Sequence, residues 1–378
     1  MTQRTSLAAT RIQQASRRPS GGRPSGDVIA LDMGEPDFDT PEVIINAAID
    51  ALRSGHTHYA DMNGDPELRA LIAAQATELA GTEIDPTDVL VSHGGAAGIT
   101  AAVLAMVDPG DRVLLPEPTY SLYVDAVALA GGIAVPVPLT SDHHLDLDAI
   151  AAESVGARLL IVCNPSNPTG AVLGASELAA LPGVLDDDTL VLVDEAYGFL
   201  VYGDEPFVPA LAVPELLDRL IYVQTLSKTY AMTGWRIGYV IGPKGLMPAV
   251  RLVHRTMNSA INSAVQRASI VALTEGDQLA TPMLEEYRRR RQFVVERVAQ
   301  IDGASMVAPE GAFYALIKYP GDLPSADVVA LLRDGGVAVR AGAEYGPSGE
   351  GHVRLSFAAD IPTLTEGFDR LERVFKSL

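Results

Sequence analysis

Short apolar runs recur along the first two thirds of the chain: Val89 to Val91, Val113 to Leu115, Leu159 to Val162, Leu190 to Val193 and Ile221 to Val223. Helical patterns separate most of them. A strand with water on one face alternates apolar and polar residues, and these runs do not. Strands that are apolar throughout and alternate with helices predict an α/β fold with a mainly parallel sheet covered on both faces. Ligands of such sheets sit beyond the carboxyl ends of the strands, so the residues that follow each run are where chemistry is expected.

The chain after Ile221 to Val223 is the most informative. It reads IYVQTLSKTYAMTGWRIGYVIG from Ile221 to Gly242. Thr225, Ser227, Lys228 and Arg236 are gathered there between two apolar runs. A lysine amine in a desolvated pocket loses its charge and becomes a nucleophile, and hydroxyls with an arginine can hold a phosphate dianion. An amine prepared for a Schiff base beside a phosphate points to pyridoxal phosphate. Taken alone, an SK pair is more often a solvated turn.

The other strand ends add to this. SHGGAAG follows Val91, and the backbone amides of Gly94, Gly95 and Ala96 at a helix start could hold a phosphate; a tight turn needing glycine is the alternative. PEPTYSLY follows Leu115, and Tyr120 could stack on a heteroaromatic ring or serve as a core tyrosine. CNPSNPTG follows Val162, a proline-stiffened loop whose asparagine amides can donate to a ring oxygen. DEAYGFL follows Val193. A carboxylate directly beyond an apolar strand needs a cation; a protonated pyridine nitrogen would be one for Asp194, with a helix N-cap as the rival role, and Tyr197 could reach the adjacent phenolic oxygen. No P-loop or GxGxxG is present.

With 378 residues, 48% of them apolar, the chain can build two domains with a large core. A net charge of -20 argues against nucleic acid or an anionic membrane as partner. Arg288 to Arg291 follow Glu285 and Glu286 and read as one solvated helix. Cys163 is the only cysteine, which leaves no internal disulfide and no thiolate metal site. His56/His58 and His143/His144 read as surface-loop pairs, so no metal is expected. No membrane span or signal core is visible, and a cytoplasmic protein is the default.

Along the chain, residues 1–26 read as an arm with a helix at Leu7 to Arg18 and a flexible RRPSGGRPSG linker. LDMGEPDFDTP is a strap ending in Thr40 as N-cap and Pro41 as first helical residue of a helix to about Ser54. Asp65 to Gly81 is a second helix. From about Pro282 to Ile301 a long helix leads into GAFYALIKYP, a helix from Ser325 to Gly335, HVRLSFAA and a last helix, which reads as a smaller α+β domain.

In their order, NPSNPTG, DEAY and SKTYAMTGWRIGY resemble the class I/II aminotransferases of the aspartate aminotransferase superfamily, fold-type I enzymes that use pyridoxal phosphate. The resemblance runs from GEPDFDTP to RLSFA. It implies a large domain (45–276) with a mainly parallel seven-stranded sheet between helices, and a smaller α+β domain built from 27–44 and 277–378. It assigns the Schiff-base lysine to Lys228, the pyridinium carboxylate to Asp194 and the cofactor-oxygen ligands to Asn167 and Tyr197. It places the phosphate on Gly95, Ala96, Thr225, Ser227 and Arg236, with Tyr120 on the ring. Arg354 would take the substrate α-carboxylate, helped by Asn167 and Gly34. Tyr59 would reach the phosphate of a neighbouring subunit, making the protein an obligate homodimer. Where aspartate-preferring bacterial relatives tend to carry a lysine after the glycine pair, this chain has Ala96, so aspartate is not expected to be the best substrate. The segment TMNSAINSAVQRAS also departs from the commoner form and leaves the side-chain pocket unassigned.

The expected reaction is ping-pong transfer of an amino group between an L-amino acid and a 2-oxo acid. The same scaffold supports elimination, cyclisation or oxidation of an amino acid. A regulator with an aminotransferase-like sensor is the third possibility, and 26 residues before Asp27 leave no room for a helix-turn-helix module.

Overall fold

The computed structural model describes residues 5–18, 26–203 and 206–378. The expected linker falls largely outside these. In chain order the strands are β1 (Ile29–Ala30), β2 (Val89–Ser92), β3 (Arg112–Glu117), β4 (Ile133–Pro138), β5 (Ala157–Cys163), β6 (Leu190–Asp194), β7 (Leu220–Thr225), β8 (Gly238–Ile241), β9 (Tyr314–Lys318), β10 (Val337–Ala338), β11 (Arg340–Ala341) and β12 (His352–Ser356).

Seven of them form one sheet in the order β2-β8-β7-β6-β5-β3-β4. All pairings are parallel except those of β8, which runs antiparallel to both β2 and β7. Every residue of β2 and β6 is buried. Alternate residues feed two cores: Leu90, Leu115, Ile161, Leu192 and Val223 enter one, Val91, Leu114, Leu160, Val193 and Tyr222 the other. A sheet with an apolar core on each face is the physical reason that the runs show no alternation. The mainly parallel seven-stranded sheet between helices is as expected.

β4 was not foreseen. Its sequence, IAVPVP, carries two prolines, and it survives as a strand because, among the described residues, it is the sheet's edge and pairs with β3 alone. An edge strand has one side with no ladder to feed, where a missing N–H costs little.

The C-terminal part adds a three-stranded antiparallel sheet, β11-β12-β9, and a two-stranded parallel pair in which β1 joins β10. Helices Thr281–Ala299, Ser325–Asp334 and Ile361–Phe375 pack with them. The strap enters this assembly through the Ser356 amide, which donates to the Leu31 carbonyl at 2.8 Å.

Three local expectations are corrected. Thr40 does not cap the helix Glu42–Arg53, whose first turn has no side-chain cap; its hydroxyl donates to the Ala231 carbonyl at 2.7 Å and accepts from Trp235 Nε1 at 3.0 Å, tying the strap to the lysine loop. The arm helix ends at Ala15 rather than Arg18, because Arg17 and Arg18 turn back to Glu117 and Asp125. Within the basic run, Arg290 is not solvated: it is 4% exposed and grips Asp37 of the strap with two hydrogen bonds, at 2.6 and 2.9 Å.

Candidate active site

The carboxyl ends of β5, β6 and β7 open onto one cavity of about 350 Å³. The strap closes it from one side, and the end of the arm and the β11–β12 region complete the wall. Twelve of the anticipated residues line it: Gly34, Gly95, Ala96, Tyr120, Asn167, Asp194, Tyr197, Thr225, Ser227, Lys228, Arg236 and Arg354. Gly94 and Tyr59 do not.

Lys228 sits in a single helical turn, Leu226–Thr229, that starts directly at the end of β7. Thr225 caps this turn by accepting from the Ser227 amide at 3.2 Å. The Lys228 ammonium donates to the Gly34 carbonyl at 2.6 Å and lies 5.8 Å from the centre of the Phe313 ring. Desolvation lowers its pKa to about 8, with Glu35 opposing and Arg236 and Arg354 adding to the fall. Near neutrality such an amine is neutral, and so nucleophilic, far more often than an exposed lysine.

Asp194 is the last residue of β6 and is 5% exposed. Its Oδ2 accepts from the Tyr123 hydroxyl at 2.8 Å and its Oδ1 from the Ala196 amide at 3.2 Å. A turn, not a helix, follows it, so the N-cap role is excluded. Burial raises its pKa to about 6 despite both hydrogen bonds. A carboxyl destabilised in this way gains from a cation placed against it.

At the other end, the helix Gly94–Met106 presents its first amides to the cavity through Gly95 and Ala96. Gly94 has φ +76°, and a Cβ there would stand 2.6 Å from Arg236 Nη2. The glycine is therefore what lets the arginine lie against the helix start. Thr225 Oγ1 and Ser227 Oγ are 2.8 Å apart beside it. Amides, hydroxyls and a guanidinium converge as a phosphate needs.

Arg354 comes from β12 and is 5% exposed. Its Nη1 donates to Asn167 Oδ1 at 3.3 Å and its Nη2 to the Asp32 carbonyl at 2.5 Å. The guanidinium lies 4.3 Å from the Tyr314 ring centre and 5.1 Å from that of Tyr345. Among the described residues its Nε is buried without a partner, so the group is held flat with a donor to spare, as suits a carboxylate.

Pyridoxal phosphate fits this donor set. A desolvated carboxylate can meet a ring N–H, Tyr197 and Asn167 line the same cavity and can donate to a ring oxygen, and the lysine and the phosphate cradle open onto it too. Tyr120 packs edge-on against Tyr123, with ring centres 5.7 Å apart.

Several residues escaped the sequence reading. Tyr123, which holds Asp194, lies one helical turn beyond Tyr120, and that spacing was a usable signal. Tyr314, whose hydroxyl is 2.8 Å from that of Tyr197, carried no signal, being 117 residues away. Arg18, Asp32 and Arg340 also line the cavity. Tyr59 is 88% exposed and stands outside the cavity of its own protomer. Among the described residues no group of three His, Cys, Asp or Glu side chains could hold a metal ion; His144 instead pairs with Glu177 at 2.9 Å.

Comparison with known proteins adds the family. Residues 26–371 match the model of aminotransferase class I and II. The chain is 37% identical to an aspartate aminotransferase of Streptomyces avermitilis, over 96% of this chain and 91% of that protein. It is 34% identical to an arginine–pyruvate transaminase of Pseudomonas aeruginosa, over 91% and 89%. An aromatic aminotransferase from Pyrococcus horikoshii superposes with a TM-score of 0.90 at 34% identity, covering 98% of this chain and 99% of that one. A family match across nearly the whole length, with relatives of this identity, shows that the chain belongs to the class I and II aminotransferases, which depend on pyridoxal phosphate.

Proposed function

We propose that this aminotransferase works by a ping-pong cycle in which Lys228 carries the cofactor at rest and shuttles the proton during transfer. The reading is carried by the placement of Lys228, Asp194 and Arg354 around one cavity. Bound there, pyridoxal phosphate supplies an electron sink for the bond broken at the substrate Cα. Asp194 holds the proton on the pyridine nitrogen. Tyr197 and Asn167 would hold the phenolic oxygen, and Gly95, Ala96, Thr225, Ser227 and Arg236 the phosphate, with Gly94 leaving room for Arg236. Arg354 binds the α-carboxylate with Asn167 and the strap at Gly34, so that the Cα–H faces the lysine. Once free of the cofactor, the Lys228 amine, with its lowered pKa, would be the neutral base placed to take that proton.

The substrates are an L-amino acid and a 2-oxo acid. The relatives named above are called after aspartate, arginine and aromatic substrates, so the family leaves the side chain open. Ala96 puts no cation beside the glycine pair, which favours a donor other than aspartate.

The protein acts as a homodimer with Tyr59 completing the phosphate site of its partner. Supporting this, Tyr59 projects from the protomer, and Leu52, Met62, Leu252 and Met257 are exposed apolar residues. Residues 27–44 and 277–378 form a small domain and 45–276 the large one; the pairing of β1 with β10 supports that grouping. A cytoplasmic location suits the single, buried, free cysteine, Cys163.

The test is a half-reaction screen. Each amino acid is added singly to the yellow holoenzyme, and bleaching together with pyridoxamine phosphate identifies a donor. Release of ammonia or an altered carbon skeleton without pyridoxamine phosphate would replace transamination by another reaction.

A further inference from the structure

Tyr314 lies where three functional groups meet. It is 1% exposed, on β9 of the three-stranded sheet. Its hydroxyl stands 2.8 Å from that of Tyr197, which follows β6 of the seven-stranded sheet. Its ring lies beneath the Arg354 guanidinium at 4.3 Å. Its oxygen packs so tightly on Gly34 that a Cβ there would sit 2.0 Å away.

The hydroxyl pair has two hydrogens, and only one can be spent between the two oxygens. Were Tyr197 the donor, it would have nothing left for a third group. With Tyr314 donating, Tyr197 keeps its hydrogen, and accepting one bond makes it a better donor of the next. Burial holds both hydroxyls protonated across the working range. The cation over the Tyr314 ring withdraws electron density and strengthens that donation. Neutralising the cation with a carboxylate weakens it again.

We propose that Tyr314 is a positioning residue: its hydroxyl sets the donor strength of Tyr197 toward the cofactor's phenolic oxygen, and its ring seats Arg354 for the substrate carboxylate. The inference rests on the roles given above to Tyr197 and Arg354. It makes Tyr314 the contact through which carboxylate binding in one sheet is felt at the cofactor edge held by the other.

Two substitutions separate the hydroxyl from the ring. In cofactor-loaded Tyr314→Phe, Tyr197 becomes a weaker donor. The phenolic oxygen then holds the proton on the Lys228-linked nitrogen more firmly, and the pKa read from the absorbance band rises by about half a pH unit. Dissociation constants for succinate and 3-phenylpropanoate, carboxylates with no amino group, stay within about twofold. In Tyr314→Leu the loss of the ring weakens both carboxylates about tenfold. The double variant Tyr197→Phe/Tyr314→Phe titrates like Tyr197→Phe alone, because the second hydroxyl acts only through the first. Replacing Tyr314 with 3-fluorotyrosine, a stronger donor of nearly the same size, moves the titration the opposite way and does not depend on the phenylalanine variant folding. A purely structural tyrosine would change melting temperature and carboxylate affinity together and leave the absorbance titration alone. An unmoved titration in Tyr314→Phe, or additive effects in the double variant, overturns the inference. A wild-type protein that binds no cofactor would instead defeat the functional reading beneath it.

Discussion

Tyr123 donates its phenolic hydrogen to Asp194 Oδ2 across 2.8 Å, between two side chains that are both almost fully buried. The bond stabilises a charged carboxylate where desolvation works against it. Removing it with Tyr123→Phe pushes the Asp194 carboxyl above its present value of about 6. More of it is then neutral at pH 7 and unable to meet a ring cation. Cofactor affinity should fall about tenfold or more, the equivalent of one charge-assisted hydrogen bond. Titration of the apoprotein with pyridoxal phosphate, followed by absorbance, measures this.

Glu195, next in sequence, is fully buried, and desolvation raises its pKa to about 8 from an ordinary 4.5. The folded state therefore holds this proton more tightly than the unfolded chain. That contribution to stability is fully present below about pH 4.5 and is lost as pH climbs through 8. Glu195→Gln keeps an oxygen for the Ala210 amide, which now donates to Oε1 at 2.7 Å, and removes the titration. Relative to wild type it should gain on the order of 4 kcal/mol between pH 5 and pH 8.5. Denaturant melts of the apoprotein at the two pH values provide the comparison.

Gly34 has no room for a side chain, since a Cβ would meet the Tyr314 hydroxyl at 2.0 Å. Gly34→Ala must push either the strap or Tyr314 out of place. Expected are a stability loss of about 1–3 kcal/mol and a fall in kcat/KM of about 10²-fold, with cofactor still bound. Circular dichroism and steady-state kinetics decide it.

Arg290 anchors the strap from the far side through Asp37. Arg290→Met leaves that carboxylate unpaired and should cost about 2–3 kcal/mol, below the full cost of breaking a buried pair because Asp37 is partly exposed. A loosened strap misplaces Gly34, so KM for the amino donor should rise more than kcat falls. Thermal melts and Michaelis curves test the two halves separately.

Arg354→Lys keeps the charge and loses the flat fork stacked between Tyr314 and Tyr345. Substrate KM should rise about 10²-fold, while the resting absorbance titration moves at most slightly and in the same direction as in Tyr314→Phe, because the cation reaches the cofactor edge only through Tyr314. A larger shift than that of Tyr314→Phe would place Arg354 against the cofactor instead.

How far the chain could be read follows from where each signal lies. The buried strands announced themselves because every position is apolar, and their carboxyl ends exposed Asp194, Asn167 and Lys228 as polar residues out of place. β4 was hidden by Pro136 and Pro138, which are harmless only on an edge, and no single strand's sequence states its position in a sheet. Thr40 looked like a cap because cap and tether use the same hydroxyl; Ala231 and Trp235, which claim it, lie nearly two hundred residues on. Arg290 was indistinguishable from Arg288 and Arg289 until the strap was laid against one face of its helix. Tyr314 and Tyr197 become neighbours only when the two sheets are assembled. Local patterns reveal chemistry at strand ends; contacts across elements wait for the fold.

The lysine loop joins β7 to its antiparallel neighbour β8, so both ends of the stretch from Leu226 to Ile237 are pinned in adjacent strands of one sheet. Other residues of the cavity wall are attached elsewhere: Arg18 to the arm, Asp32 and Met33 to the strap, Arg340 and Tyr345 to the small sheet and its following turn. The nucleophile and the rest of the wall thus hang from separate hooks. Substitutions at Arg18, Met33 and Arg340 can reshape the wall while leaving the nucleophile's address untouched.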